Sequence, residues 1–326
     1  MCCDRIGKGK TLEIVQDIGK LDIEGRSAIA IGKFDGIHIG HQALLAKILE
    51  KKKEGMFAVI FTFTPSPEEF FKGTMLPSLD TQEEKRKQFE AMGVDILIEY
   101  PLTKESAAVS PEEFMQSILW DKLHAGYVVS GSDLSFGDKG RGNATMLSSF
   151  AKEHSFLYEE IDKIRMNGIE VSSTSAKNAL EEGNVELANR MLGRSYTIRG
   201  EVVHGRALGR TVDMPTINVM PHPQKFLPRN GVYATMTGVD GQFYPGVTNI
   251  GCKPTVSKEN TVSVETHLLD FHKDIYGKKV VTWLLHYIRP EECFDNLESL
   301  VKQVKNDEMS CRAYLGEIKP NITNIM

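Results

Sequence analysis

The sequence has no apolar run approaching the roughly 18 residues that a membrane-crossing helix needs. Its first residues, Met-Cys-Cys-Asp-Arg, lack the apolar core of a signal peptide. Neither a span nor a secretory leader is expected, and the chain reads as cytoplasmic. Cysteine is scarce: there are five in 326 residues, at Cys2, Cys3, Cys252, Cys293 and Cys311. They form no Cys-x-x-Cys pair and no zinc-like Cys/His spacing, so reduced thiols are expected rather than a disulfide framework. Basic charge is not in surplus; a net charge of −5 gives no support for general electrostatic binding to nucleic acid. The Walker A pattern is missing, which argues against a P-loop ATPase. Internal repeats and low-complexity tracts are also absent.

What remains is ordinary for a globular protein, with 41% hydrophobic and 25% charged residues. The length suggests two domains. The most informative stretch runs from Ser27 to His41. Ser27 to Ile31 has the pattern of a buried parallel strand, Gly32 to Gly36 that of a turn at its carboxyl end, and Gln42 onward that of an amphipathic helix through Leu44, Leu45, Ile48 and Leu49. At such a mouth the first helical N–H groups are unpaired and the helix dipole attracts an anion such as phosphate. His38 and His41, three apart, would lie on one side of the first turn.

Downstream, Phe57 to Phe63, Asp95 to Ile98, Tyr127 to Ser130 and Phe156 to Ile161 read as strands. Thr81 to Met92, Pro111 to Leu123 and Ala144 to Glu153 read as helices between them. Alternation of this kind predicts a Rossmann-like α/β domain: a parallel sheet covered on both faces, with its ligand crevice at the carboxyl ends of the strands. The opening motif and the glycine-rich segment Gly131 to Gly142 would both lie on that rim. Ser172-Ser-Thr-Ser-Ala-Lys177 then leads into one or two helices over Asn178 to Leu192, with Ser and Thr as natural N-caps.

From Tyr196 the pattern changes. Thr197 to Val203, Gly231 to Val239, Phe243 to Ile250, Thr261 to Asp270 and Lys279 to Ile288 are strand-like runs with few helical patterns between them. An antiparallel β-barrel is the natural closure. A final amphipathic helix over Asn296 to Tyr314 would cover it. The composition shift places a boundary near Gly193, giving domains over 1–192 and 193–326.

Taken alone, His38-Ile-Gly-His41 admits three readings. A zinc pair lacks a recognisable third ligand. A pair of packed histidines is common near turns. Two imidazoles beside an anion-binding helix end could instead hold nucleotide phosphates and stabilise charge developing at phosphorus. The last arrangement resembles the His-x-Gly-His signature of nucleotidyltransferases.

A closer resemblance follows. Gly32-Lys-Phe-Asp-Gly-Ile-His-Ile-Gly-His-Gln42 and Phe61-Thr-Phe-Thr-Pro-Ser-Pro67 with Phe70-Phe71 resemble two motifs of the bacterial bifunctional riboflavin kinase and FAD synthetase family. Gly131 to Gly142 and Ser172-Ser-Thr174 resemble two more. In the carboxyl half, Gly205-Arg-Ala-Leu-Gly-Arg-Thr-Val-Asp-Met-Pro-Thr-Ile-Asn218 is similar to the kinase's Pro-Thr-x-Asn motif. Gly231-Val-Tyr233, Asn249-Ile-Gly251, Pro254-Thr255 and Val264-Glu-Thr-His-Leu-Leu-Asp-Phe271 extend the match in the family's order.

The resemblance implies two ATP-dependent reactions: phosphorylation of riboflavin to FMN with release of ADP, and adenylylation of FMN to FAD. It implies Glu265 as the kinase base, and Thr216 and Asn218 as hard oxygen ligands for Mg2+. Gly205, Gly209 and Thr216 would approach the kinase nucleotide. For adenylyl transfer it implies His38 and His41 on the triphosphate, with Gly32, Phe34, Gly40, Ser173, Thr174 and Lys177 also binding nucleotide. Asp133, Arg141, Asp307 and Arg312 match flavin-contacting positions. Nucleic acid and membrane are not expected partners. The sequence departs from the family's Ser-Ser-Thr-Arg-Ile-Arg at Ser175 to Lys177, and carries Ser66 where Pro-His-Pro is usual. Two alternatives stand beside the bifunctional enzyme: a kinase whose first domain only binds nucleotide, and a flavin carrier without turnover.

Overall fold

The computed structural model describes residues 5–6, 11–204, 216–252 and 262–317. The chain divides into two compact units, one formed by Met1–Leu76 and Asp80–Val171, the other by Pro77–Leu79 and Ser172–Asn324.

The first unit is built on six strands: β1 (Glu13–Val15), β2 (Ser27–Ile31), β3 (Phe57–Thr64), β4 (Ile96–Pro101), β5 (Ala125–Gly131) and β6 (Leu157–Ile161). They hydrogen-bond in the order β1-β4-β3-β2-β5-β6, every pair parallel. Helices lie between them: α1 (Ile39–Lys53), α2 (Pro67–Lys72), α3 (Gln82–Met92), α4 (Pro111–Lys122) and α5 (Ala144–Glu153). As expected, the sheet is covered on both faces. Ile29, Ile31, Val59 and Phe61 pack with Phe114, Leu119 and Leu147 on one side. On the other, Ala28, Ala30, Ala58 and Ile60 pack with Leu44, Leu45 and Ile48 of α1 and Phe89 of α3. Three alanines on that face let α1 approach closely, and each large side chain so buried contributes roughly 1.5–3 kcal/mol. Pro111 opens α4 behind the Ser110 cap, but after Glu113 the bonding turns to the i→i−5 pattern, with Leu123 N–H donating to Ile118 O at 3.0 Å.

The chain runs outward from β2 through β3 to β4, then returns to place β5 on the other side of β2. The strand order therefore reverses at the β2–β5 pair, where Ile31 stands beside Ser130. A crevice at the carboxyl ends of the strands is expected at such a reversal, and both Gly32 and Gly131 leave the sheet there.

The second unit begins with α6 (Ser173–Glu181) and α7 (Val185–Leu192) and continues as six antiparallel strands. They are β7 (Tyr196–Val203), β8 (Thr216–Pro221), β9 (Gly231–Val239), β10 (Gln242–Cys252), β11 (Val262–Leu268) and β12 (Lys279–Arg289). These close into a barrel in the order β7-β8-β11-β10-β9-β12. Five were legible as strands. The sixth, β8, carries the Thr-Ile-Asn of the motif and a proline end, so its six residues give little alternation to detect. Asp240 and Gly241, at φ +48° and +80°, make the tight β9–β10 turn. Helix α8 (Leu297–Glu317) packs on the outer face, where Cys311 joins Val232, Ala234, Val247 and Leu269. No described helix is long and apolar enough to cross a membrane.

The barrel interior is partly polar, yet the polar atoms are paired. Thr248 Oγ1 lies 2.8 Å from Thr235 Oγ1 and 2.9 Å from Thr266 Oγ1, and Thr235 in turn donates to Gly246 O at 2.9 Å. Thr248→Val keeps the shape but interrupts this chain of hydroxyls. The barrel should lose about 1–3 kcal/mol, measurable as a lowered denaturant midpoint; an unchanged midpoint would show that the hydroxyl chain contributes nothing.

Candidate active sites

In the first unit the site is assembled by a buried turn. Gly32 N–H donates to Phe61 O at 3.2 Å, and the chain then leaves the sheet. Phe34 and Ile37, both fully buried, have φ of +51° and +39°. Such non-glycine conformations cost of order 1–3 kcal/mol each and persist because the packing holds them. Phe34 meets Phe89 edge-on at 5.6 Å and His41 at 4.9 Å. A side chain on Gly32 would come within 3.2 Å of the Phe34 ring.

His38 is the N-cap of α1; its Nδ1 accepts from His41 N–H at 3.3 Å. A side chain on Gly40 would lie 3.1 Å from that same ring, so glycine lets the imidazole fold over the helix end. The His38 and His41 rings stack at 3.7 Å, as their spacing predicts. Burial pushes the pKa of His38 down to about 4, against the opposing charges of Asp35 and Asp133. Burial, with repulsion from His38 and Lys85, holds His41 well below the usual range. Both rings are therefore neutral near pH 7. Because the Nδ1 of His38 accepts, its proton resides on Nε2, leaving that N–H as a donor. The Nδ1 of His41 is buried with no hydrogen-bond partner. Positive potential at the mouth comes from the helix end, not from imidazolium.

The Gly131–Gly142 segment follows β5. Gly142 and Phe136 exchange backbone hydrogen bonds of 2.8 and 3.1 Å. Gly137, at φ +69°, passes so close to Pro111 that a Cβ would fall 2.7 Å from its nitrogen. Asp133 is exposed and 3.5 Å from Lys163; Arg141 pairs with Asp138 at 3.3 Å. Ser66 caps α2, with Glu69 Oε2 accepting from its N–H and hydroxyl at 3.0 and 2.8 Å.

In the second unit, Ser172 caps α6 in a box with Ser175. Ser173 and Thr174 are the first two helical residues, Thr174 exposed. Lys177 Nζ donates to Pro77 O at 2.8 Å and lies 5.7 Å from the centre of the Phe226 ring.

The barrel brings several of the residues expected at the kinase site together by register. Asn218 of β8 is directly opposite Glu265 of β11, which is opposite Asn249 of β10; beyond it come Val232 of β9 and Arg289 of β12. Paired residues share a face, so these five form one lateral row. It lies on the outside, since Thr248 and Thr266 fill the inside. Thr216 shares Asn218's face and is opposite His267. Helix α8 flanks this surface: His267 Nε2 is 3.2 Å from Glu308 Oε1. Buried Asp307 accepts from Arg289 Nε at 3.0 Å, Arg289 Nη2 at 2.9 Å and Gln303 Nε2 at 3.0 Å. Arg312, more exposed, pairs with Asp270 at 3.0 Å. Gly205 and Gly209 lie outside the described residues. Sequence reasoning passed over Arg289, His267 and Glu308, whose partners are distant in the chain; only a strand pairing could have pointed to them.

Two family models match the chain: FAD synthetase over residues 21–175 and riboflavin kinase over 192–315. The bifunctional riboflavin kinase/FMN adenylyltransferase of Listeria monocytogenes is 34% identical, over 89% of this chain and 93% of that one. Its Escherichia coli K12 counterpart is 33% identical over 95% and 99%. A crystal structure described as a macrolide-efflux protein from Streptococcus pneumoniae superimposes with a TM-score of 0.83 at 27% identity, over 93% and 99% of the two chains. With both models matched in order and such identity sustained along the chain, it belongs to the bifunctional riboflavin kinase/FMN adenylyltransferase family.

Proposed function

We propose that the protein phosphorylates riboflavin to FMN with ATP, releasing ADP, and adenylylates FMN to FAD, releasing pyrophosphate. The observation that carries this reading is the presence of both matched regions in one chain. The kinase half is further supported by the barrel register, which sets Glu265 between Asn218 and Asn249. The functional boundary is assigned at 192/193.

For the kinase, Glu265 accepts the proton of the ribityl 5′-hydroxyl as its oxygen attacks the γ-phosphorus, and the bond to the β-phosphate oxygen breaks. Thr216 and Asn218 offer a hydroxyl and an amide carbonyl on one strand face, hard donors that fit Mg2+. When bound, Mg2+ would supply neutralisation of phosphate charge. Asp307 is assigned to fixing Arg289 and α8 beside the flavin, and Arg312 to contacting it.

For adenylyl transfer, a phosphate oxygen of FMN attacks the α-phosphorus of ATP and pyrophosphate departs. Both reactants are anionic, so positioning and charge stabilisation dominate. The α1 N-terminus and the Nε2–H of His38 supply neutral and dipolar donors. Gly32, Phe34 and Gly40 shape that cradle, with His41 stacked behind it. Asp133 and Arg141 are assigned to the flavin; Ser173, Thr174 and Lys177 are assigned to nucleotide through their motif.

The assay supplies riboflavin, ATP and Mg2+, then separates the flavins. Glu265→Ala should abolish FMN formation, by at least about a hundredfold, and leave FMN-to-FAD conversion intact. Loss of both activities together would count against separate chemistries. Conversely, FMN supplied as substrate without any FAD or pyrophosphate appearing would sink the bifunctional reading.

A pH prediction follows from His38. Its folded pKa of about 4 lies below the ordinary imidazole value of 6.5. The unfolded chain thus binds the proton more readily between those values, and stability is full above 6.5 and lost as pH falls toward 4. His38→Asn keeps a capping oxygen but no titratable ring. Its unfolding midpoint should decline less steeply than wild type from pH 6.5 to 4; an identical slope would show that His38 does not titrate as described.

A further inference from the structure

One side chain on the outer face of the barrel has no part in the chemistry above. Glu291 follows the end of β12 by two residues, and its Oε1 accepts from Asn249 Nδ2 at 3.1 Å. Asn249 is the neighbour of Glu265 in the lateral row. A carboxylate only accepts, so the amide must turn its NH2 group toward Glu291 and its carbonyl away; the opposite orientation would bring two acceptors together.

Two further observations show that this contact is built into the fold. Gly251 sits on the same face of β10 as Asn249. A Cβ there would fall 1.7 Å from Glu291 Oε1 and 2.2 Å from its Cδ, so the carboxylate lies against the bare glycine. The base of the segment is held by Arg289, whose guanidinium grips buried Asp307. Arg289 also donates to Pro290 O at 3.0 Å, lies 3.7 Å from Glu292 and stands 5.7 Å from the centre of the Phe294 ring. One arginine thus organises the residues on both sides of Glu291.

We propose that Glu291 is a positioning residue for riboflavin phosphorylation, holding the Asn249 amide in the single orientation that keeps its NH2 group off Glu265. A freed amide could rotate and donate to the Glu265 carboxylate, adding a competitor for the oxygen that takes the hydroxyl proton. Gly251 is required because any side chain there displaces Glu291. This inference rests on the kinase reading of the Glu265 row.

Steady-state kinetics on the full chain tests it. Glu291→Ala should lower kcat for FMN formation about tenfold while KM for riboflavin and ATP stays within about twofold, the signature of lost orientation rather than lost binding. Glu291→Gln, which keeps an acceptor oxygen, should recover most of the rate. Gly251→Ala should resemble Glu291→Ala although Glu291 is intact. FMN-to-FAD conversion should be unaffected throughout. In an Asn249→Ala background, Glu291→Ala should cost nothing further, because its effect passes through Asn249. An unchanged kcat in Glu291→Ala, or an equal loss in the Asn249→Ala background, would overturn the proposal. So would a fall in both activities with a lowered unfolding midpoint, which would make Glu291 a folding residue. Glu265→Ala serves as the reference: if it retains FMN formation the kinase reading itself fails, whereas a dead Glu265→Ala beside an unaffected Glu291→Ala removes this proposal alone.

Discussion

Backbone hydrogen bonding between strands decides where the two glycine loops and the Glu265 row of this protein stand. In the first unit, six parallel strands end at a common edge, and the reversal of their order at β2 and β5 brings Gly32 and Gly131 out side by side. In the second, closure of an antiparallel barrel leaves no freedom in which residues lie abreast. A one-residue slip of β11 would turn Glu265 inward and Thr266 outward, breaking the hydroxyl chain and the Asn218–Glu265–Asn249 row together. Stability and chemistry are thus specified by the same register, from opposite faces of one strand.

The two sites solve the problem of phosphate charge differently. Both rings of the first site are neutral: at His38 desolvation outweighs the nearby Asp35 and Asp133 charges, and at His41 desolvation acts together with His38 and Lys85. A neutral ring donates one hydrogen bond and carries no net charge, so an anion bound there under the proposed reading would be held mainly by the first N–H groups of α1. The strained Phe34–Ile37 turn matters for this reason: it delivers the helix start, already capped by His38, to the edge of the sheet. On the barrel, the residues paired with Glu265 on either side are two amides, Asn218 and Asn249. Under the proposed kinase reading, such a surface would take a hard cation with its phosphates rather than a bare anion.

Local signals were easy to read where one interaction range governed. Ser27–Ile31 and Ala144–Glu153 have the bounds their patterns predict, because a strand buried on both faces reads as a continuous apolar run and the helix is capped locally by Asn143. Thr216–Pro221 escaped as a strand because its pairing with β11 and β7, not its own composition, makes it one. The shift to consecutive strands falls at Tyr196, yet the compact unit begins at Ser172, since α7 packs on β7 and β12. The Glu265 site was legible as motifs whose pieces lay apart in sequence. Its geometry was not: the facing of Asn218, Glu265 and Asn249 and the grip of Asp307 on Arg289 depend on register and on contacts across many residues.

The departures from the family pattern look different once their surroundings are known. Ser66, in place of an imidazole, closes a capping box with Glu69, so the position is filled by a residue that α2 itself requires. Lys177, in place of arginine, spends one of its three N–H donors on Pro77 O. A guanidinium in that role would direct its fork by the plane of the group, whereas an ammonium rotates freely about its last bond and can hold a carbonyl while its other hydrogens point elsewhere. Lysine therefore suits a position that must secure main chain and still present charge. The neighbouring Pro77–Leu79 segment carries a second such bond, from buried Lys225 to Leu79 O at 2.6 Å, with the Tyr196 ring 4.6 Å away. Two ammonium groups fixed on three consecutive residues make that segment part of the barrel unit's framework, and the substitution at 177 belongs to the framework as much as to the motif.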